Sequence, residues 1–168
     1  MSKLSAEVEK ELNAQIRREL MSAYIYYGLA AYFEGLNYPG IAAWFMASAR
    51  DEISHGLKFS RYIFDRGGRL ALDALDKPPV NYESPVAAFE AALEREKDIT
   101  DSINTLYALA LKKNDYATQV FLQDMIEEQV EEIKEATEQL SRIKACQESA
   151  AAMIMLDREL ARRAAGQN

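Results

Sequence analysis

The chain contains four prolines, Pro39, Pro78, Pro79 and Pro85, which leaves residues 40–77 and 86–168 without one. A proline inside a helix removes a backbone hydrogen bond and clashes with the preceding turn. Two proline-free stretches of this length therefore suit long helices, whereas strands would need more punctuation. Apolar periodicity agrees. Leu4, Val8, Leu12, Ile16 and Leu20 recur every four residues and form one stripe on a helix of about 5–34. The breakers from Gly35 to Gly40 end it. A second helix of about 40–66 carries Ile41, Phe45, Phe59 and Ile63 and stops at Gly67-Gly68. Residues 67–83 show no sustained period. Ser84-Pro85 then reads as an N-cap and first-turn pair, opening a third helix of about 85–113 marked by Phe89, Leu93, Ile103 and Leu106. Asn114-Asp115 separates it from a fourth helix of about 115–145, which carries Phe121, Leu122, Met125, Ile126, Ala136, Leu140 and Ile143, and an alanine-rich fifth follows at about 148–163.

Loop lengths set the expected topology. Short connections make helices one and two an antiparallel pair, and likewise three and four. The 17-residue segment between the pairs reaches about 55 Å when extended, enough to cross a helix of about 42 Å. The expected fold is all-α, a four-helix bundle with one long crossover plus a short C-terminal helix, in a single unit spanning 1–168. An excess of seven negative charges argues against a nucleic-acid partner. The charged start has no apolar leader, so no membrane is expected, and the lone Cys146 fits a reduced, cytoplasmic protein.

Polar residues on the apolar stripes carry the chemistry. Glu19 shares a face with Leu12, Ile16 and Tyr26; Glu52 and His55 lie between Phe45 and Phe59; Glu96 lies between Phe89 and Ile103; Gln129 and Glu132 follow Leu122 and Met125 by seven. Glu19 to Glu52 is 33 residues with His55 three further on, and Glu96 to Gln129 is 33 with Glu132 three further on. Two hairpins of equal register would gather these groups at mid-bundle. A lone helical Glu is ordinarily solvated or salt-bridged. Several buried together cost several kcal/mol each without a counter-charge, and neither Lys nor Arg occupies the inward positions. A bound cation supplies the charge, and carboxylates with one imidazole suit iron or manganese.

These residues resemble ferritin, specifically the non-haem bacterial and archaeal ferritins, over nearly the whole chain. The resemblance implies that Glu19, Glu52 and His55 hold a first iron and that Glu52 bridges to a second, held with Glu96 and Glu132 and with Gln129 close by. Asp51, Glu128 and Glu131 fall at an additional iron site, where the family usually has Glu in place of Asp51. Tyr26 matches a tyrosine that hydrogen-bonds near the centre and can donate an electron. Bacterioferritins carry Glu-x-x-His twice and ligate haem through a methionine where this chain has Ile53; with one histidine no haem is expected. The implied activity is oxidation of Fe(II) by dioxygen and storage of Fe(III) mineral in a homo-oligomeric shell of twenty-four subunits. Gln119 and Leu122 align with the family's three-fold channel, with Asp115 and Asp124 as substitutes, and Tyr32 and Met153 are exposed apolar positions compatible with subunit contacts. Met153 and Met155 fall on different faces and suit packing better than haem ligation. A di-iron oxidase or peroxidase acting on a small substrate, and a metal-free helical interaction module, are the alternatives.

Overall fold

The computed structural model describes residues 4–166, so the two ends of the expected 1–168 unit lie outside the described residues. It contains five helices and, among the described residues, no strand: α1 (Ala6–Gly35), α2 (Pro39–Asp65), α3 (Pro85–Lys112), α4 (Tyr116–Cys146) and α5 (Ala150–Ala164). Side-chain oxygens of Ser5, Ser84, Asp115 and Ser149 accept the first-turn amides of α1, α3, α4 and α5. Asn37, Asn114 and Gly67 take the left-handed conformation just past α1, α3 and α2 (φ 61°, 53° and 67°), where residues with small or locally hydrogen-bonding side chains are tolerated. No side chain at the start of α2 caps it. Asp157 of α5 does so instead, accepting from the Ile41 amide at 2.8 Å. That contact brings α5 so close that a Cβ built on Gly40 would lie 1.9 Å from the Asp157 carbonyl oxygen.

Helix α1 packs on α2 and α3, α3 packs on α4, and α5 packs on α2 and α4. Contacts between opposite ends set the directions. Phe33 at the end of α1 meets Phe45 near the start of α2 and Phe89 near the start of α3, so α1 is antiparallel to both. Helices α2 and α3 are therefore parallel, which is what the crossover permits. Large side chains span the gap between α2 and α4: Tyr62 stacks on Phe121 with ring centroids 4.1 Å apart, and Arg66 pairs with Asp115 at 2.9 Å. The crossover lies along α1. Asn13 bridges the Arg69 carbonyl and the Ala71 amide, Arg17 donates to the Ala74 carbonyl and to Asp76, and at Gly28 a Cβ would meet the Pro79 carbonyl at 2.3 Å.

Two apolar clusters fill the bundle. One gathers Tyr26, Leu29, Phe33, Phe45 and Phe89 with Met153, Leu156 and Leu160 of α5. The other gathers Val8, Leu12, Ile16, Phe59, Ile63, Ile103, Leu122 and Met125. Between them lies a buried polar belt of Glu19, Glu52, His55, Glu96 and Gln129. Two surface expectations are corrected here. Met153 is 3% exposed because α5 turns it into the first cluster, and Tyr32 is half-buried against Phe33 and Tyr82. Met155, on the opposite face of α5, is exposed. Among the described residues, no helix is long and apolar enough to cross a membrane.

Candidate metal centre

Four helices each contribute to the polar belt because the apolar stripe of each is interrupted at the same height. Glu19 from α1 and Glu52 and His55 from α2 are all buried, and each offers one ligand atom lying within 4.8 Å of the other two. Glu19 Oε1 accepts from Gln15 Nε2 at 2.8 Å. Glu19 Oε2 and Glu52 Oε2, both buried, have no hydrogen-bond partner. Polar oxygens buried without partners are rare and call for an explanation. A cation fits them: anionic oxygens and an imidazole nitrogen form a donor set suited to iron or manganese.

The second half is built differently. Glu96 Oε1 accepts from the Tyr26 hydroxyl, and Glu96 Oε2 accepts from Gln129 Nε2 at 3.2 Å. The Gln129 amide nitrogen also approaches Thr100 Oγ1 at 3.3 Å, so Gln129 acts as a donor that holds Glu96 in place. Glu132 is half-buried and feels the charges of Glu96 and Glu52. Asp51 and Glu131 are exposed. Glu128 turns inward, with Oε1 on Lys58 Nζ at 2.5 Å and Oε2 3.4 Å from His55 Nε2. The structure thus brings Glu19, Glu52 and His55 together, sets Glu96, Gln129, Tyr26 and Glu132 beside them, and leaves Asp51 and Glu131 at the surface.

Burial shapes the electrostatics. Glu19 is pushed up to about 8, first by loss of water and then by the neighbouring Glu52 carboxylate. Loss of water likewise raises Glu52 to about 7, Glu96 to about 7 and Glu132 to about 7. Without metal the belt is partly protonated near neutral pH, Glu19 most of all, and a divalent cation would displace those protons.

Two neighbours escaped the sequence reading. Gln15, four residues before Glu19 on a buried stripe, accepts at Oε1 from Ser102 Oγ at 2.8 Å and passes its own amide to Glu19; a second polar residue on that stripe was the available signal. Arg95 overturns the expectation that no basic side chain faces the carboxylates. From α3 it reaches α1, where Nε donates to Ser22 Oγ at 2.7 Å and Nη2 to the Arg18 carbonyl at 2.6 Å. Of the positions aligned with a channel, Leu122 is fully buried and Asp115 is committed to Arg66 and the α4 N-terminus. Gln119 is half-buried, and Asp124 is exposed.

An all-α bundle with carboxylates and one imidazole converging at mid-height defines a metal-binding carboxylate bundle. Residues 9–146 match the ferritin family, described as a ferritin-like domain. A bacterial non-heme ferritin of Staphylococcus epidermidis is 38% identical over 129 residues, covering 77% of this chain and 78% of that one. One of Bacteroides fragilis is 33% identical over 136 residues, covering 81% and 84%. Among solved structures, an open-pore ferritin from the hyperthermophilic archaeon Archaeoglobus fulgidus superposes with a TM-score of 0.94 at 35% identity, covering 95% of this chain and 98% of that one. A closed form engineered from the Archaeoglobus ferritin superposes at 0.93 with 36% identity, covering 95% and 97%. The chain belongs to the ferritin family.

Proposed function

We propose that this chain is a ferroxidase that oxidises Fe(II) with dioxygen at its mid-bundle centre and deposits the Fe(III) product inside a cytoplasmic cage of twenty-four copies. Iron storage follows from the family; the observation that supports the oxidation step is the pair of buried oxygens without hydrogen bonds, Glu19 Oε2 and Glu52 Oε2, the latter 3.7 Å from His55 Nδ1. Iron enters as substrate. Glu19, Glu52 and His55 hold the first ion. Glu52, central to the cluster, bridges to the second, which takes Glu96 and Glu132. Each Fe(II) gives up one electron, and dioxygen takes two electrons and two protons to leave as hydrogen peroxide. Anionic ligands stabilise Fe(III) over Fe(II) and so favour the electron loss. The protons displaced from Glu19 and Glu52 supply those that dioxygen needs. Tyr26 and Gln129 occupy the two Glu96 oxygens until the second ion claims one of them, and Tyr26 stands within reach as an electron donor. Asp51, Glu128 and Glu131 form a looser site on the way out, with Glu128 released from Lys58 when the cation arrives.

Assembly has support of its own. Tyr24, Tyr27, Ile53, Leu57, Leu72 and Leu75 are exposed, and Leu20, Tyr24, Tyr27, Ile53 and Leu75 are among the residues that line one groove on α1, α2 and the crossover. Apolar surface of this kind is normally covered by another protein. The test mixes metal-free protein with Fe(II) and oxygen and follows ferric absorbance in wild type, Glu52→Ala and His55→Ala, alongside sizing of the native particle. Loss of the fast phase in both variants and a particle of several hundred kDa are expected. Unchanged kinetics in both variants would sink the assigned centre, and a small oligomer with turnover dependent on an organic substrate would replace storage with substrate oxidation.

A further inference from the structure

Arg95 is the basic side chain the stripes did not foretell, and its anchoring is specific. Its guanidinium leaves α3 for α1 and donates to Ser22 Oγ at 2.7 Å and to the Arg18 carbonyl at 2.6 Å, two points that flank Glu19 in sequence. Ser22 is fully buried, and its hydroxyl in turn donates to the Arg18 carbonyl at 3.2 Å. The guanidinium is half-buried and couples to the charges of Asp98, Glu52 and Glu19, favouring the ionised form of Glu52; once the carboxyls are ionised, what remains is its repulsion of a bound cation. Glu52 and Glu19 nevertheless each keep an oxygen without a hydrogen-bond partner, so Arg95 does not cap the ligands. It stands behind them as a charge.

We propose that Arg95 is a positioning residue whose fixed positive charge weakens the grip of the Glu19–Glu52–His55 half-site on cations, so that the centre passes iron on instead of retaining it. The inference rests on the ferroxidase reading above. Repulsion scales with the charge of the bound ion, so the guanidinium opposes Fe(III) more than Fe(II) and favours departure of product over departure of substrate. The two hydrogen bonds give the effect its permanence. An unanchored arginine would swing to solvent when a cation arrived, whereas this one is held by groups belonging to the fold. Arginine also stays charged throughout the working pH range.

A purely structural role, tying α3 to α1, predicts the opposite sign. Loss of the tie would loosen the site and weaken metal binding, while loss of the charge strengthens it. The experiment titrates Co(II) under anaerobic conditions into the metal-free assembled protein at about pH 9, above the range in which the belt carboxyls give up their protons, read by calorimetry and visible absorption. Arg95→Gln should bind Co(II) about tenfold more tightly than wild type, and Arg95→Lys, which keeps the charge, should stay close to wild type. Ser22→Ala, which removes one anchor, should fall between wild type and Arg95→Gln. Unchanged or weaker binding in Arg95→Gln overturns the inference, as does equal tightening in Arg95→Lys. If wild type binds Co(II) no better than Glu52→Ala, the centre itself is misassigned and the inference falls with it. If wild type binds normally and Arg95→Gln gains nothing, only the role of Arg95 is lost.

Discussion

The two helical hairpins place polar residues at one spacing and use them differently. In α1/α2, Glu19, Glu52 and His55 converge, and two carboxylate oxygens lack a hydrogen bond. In α3/α4 the equivalent positions hold Glu96, Gln129 and Glu132; both oxygens of Glu96 are taken, one by Tyr26 and one by Gln129, and Glu132 is half-exposed. Replacing Glu by an amide at the middle position turns a ligand into a donor, and replacing His by Glu at the third adds charge without an imidazole. One hairpin is a ready cation trap, and the other engages only when Glu96 gives up a hydrogen bond. Binding should therefore be sequential. The largest expected effect follows: Glu19→Ala or Glu52→Ala should weaken the tighter of two Co(II) binding events by about a hundredfold or more, ~2.7 kcal/mol, whereas Glu132→Gln should spare it and remove only the weaker one. Equal losses on both sides, measured by calorimetry, would break the comparison.

The hairpins also differ in how they are clamped. Both close approaches of backbone to a helical glycine fall in the first, at Gly28 beneath the crossover and Gly40 beneath α5, and neither α3 nor α4 contains a glycine. A methyl at either site meets a carbonyl oxygen belonging to backbone, which has little room to yield. Gly40→Ala should cost about 2–3 kcal/mol in denaturant unfolding. Gly35→Ala, where nothing lies within 4 Å of a new Cβ, should be neutral or stabilising by up to ~1 kcal/mol through helix propensity. Destabilisation of the same size in both would mean that the clamp is not what makes Gly40 necessary.

Much of this was visible in the sequence. Helix number, the crossover and the meeting of Glu19, Glu52 and His55 follow from apolar periodicity and from the repeated interval of 33 residues, because a buried stripe enforces register. What escaped was non-local. Arg95 sits in the run Glu94-Arg95-Glu96-Lys97, which looks like a solvated helix edge until α1 supplies the Ser22 and Arg18 acceptors. Met153 looked exposed because an alanine-rich helix has little stripe of its own; its burial is decided by the docking of α5 on α2, and the Asp157 contact with the Ile41 amide that fixes this docking spans 116 residues. Leu122 aligned with a channel position, yet the same stripe that revealed the fourth helix buries it.

The pH dependence of stability separates the halves on a smaller scale. Each raised carboxyl binds its proton more tightly folded than unfolded, so its stabilising contribution is complete below the unfolded value of about 4.5 and is lost as pH rises through the folded one. For Glu52, Glu96 and Glu132 that loss runs up to about 7, and for Glu19 to about 8. The metal-free protein should lose roughly 5 °C in Tm between pH 5 and pH 8, and saturating Co(II) should reverse the trend by replacing protons with charge. Glu19→Gln should reduce the slope most between pH 7 and pH 8, where Glu19 still holds its proton while the other three groups are giving up the last of theirs. A Tm that rises with pH in the metal-free protein would contradict the protonated belt.

The smallest effect bears most directly on the second half. A cation claiming Glu96 must displace the Tyr26 hydroxyl or the Gln129 amide, each a hydrogen bond to a buried carboxylate. Bonds of this kind contribute about 1.5–3 kcal/mol net, but the released phenol recovers part of that by finding another acceptor or water. Tyr26→Phe removes the competitor and little volume. Its ring still packs beside Phe45, so the core stays filled. The weaker Co(II) event should therefore tighten by about fivefold, ~1 kcal/mol, and the tighter event should not move. Weakening of that second event would show that Tyr26 holds Glu96 in its ligating position, making both halves preformed, and the contrast between the hairpins would then lie in ligand chemistry alone.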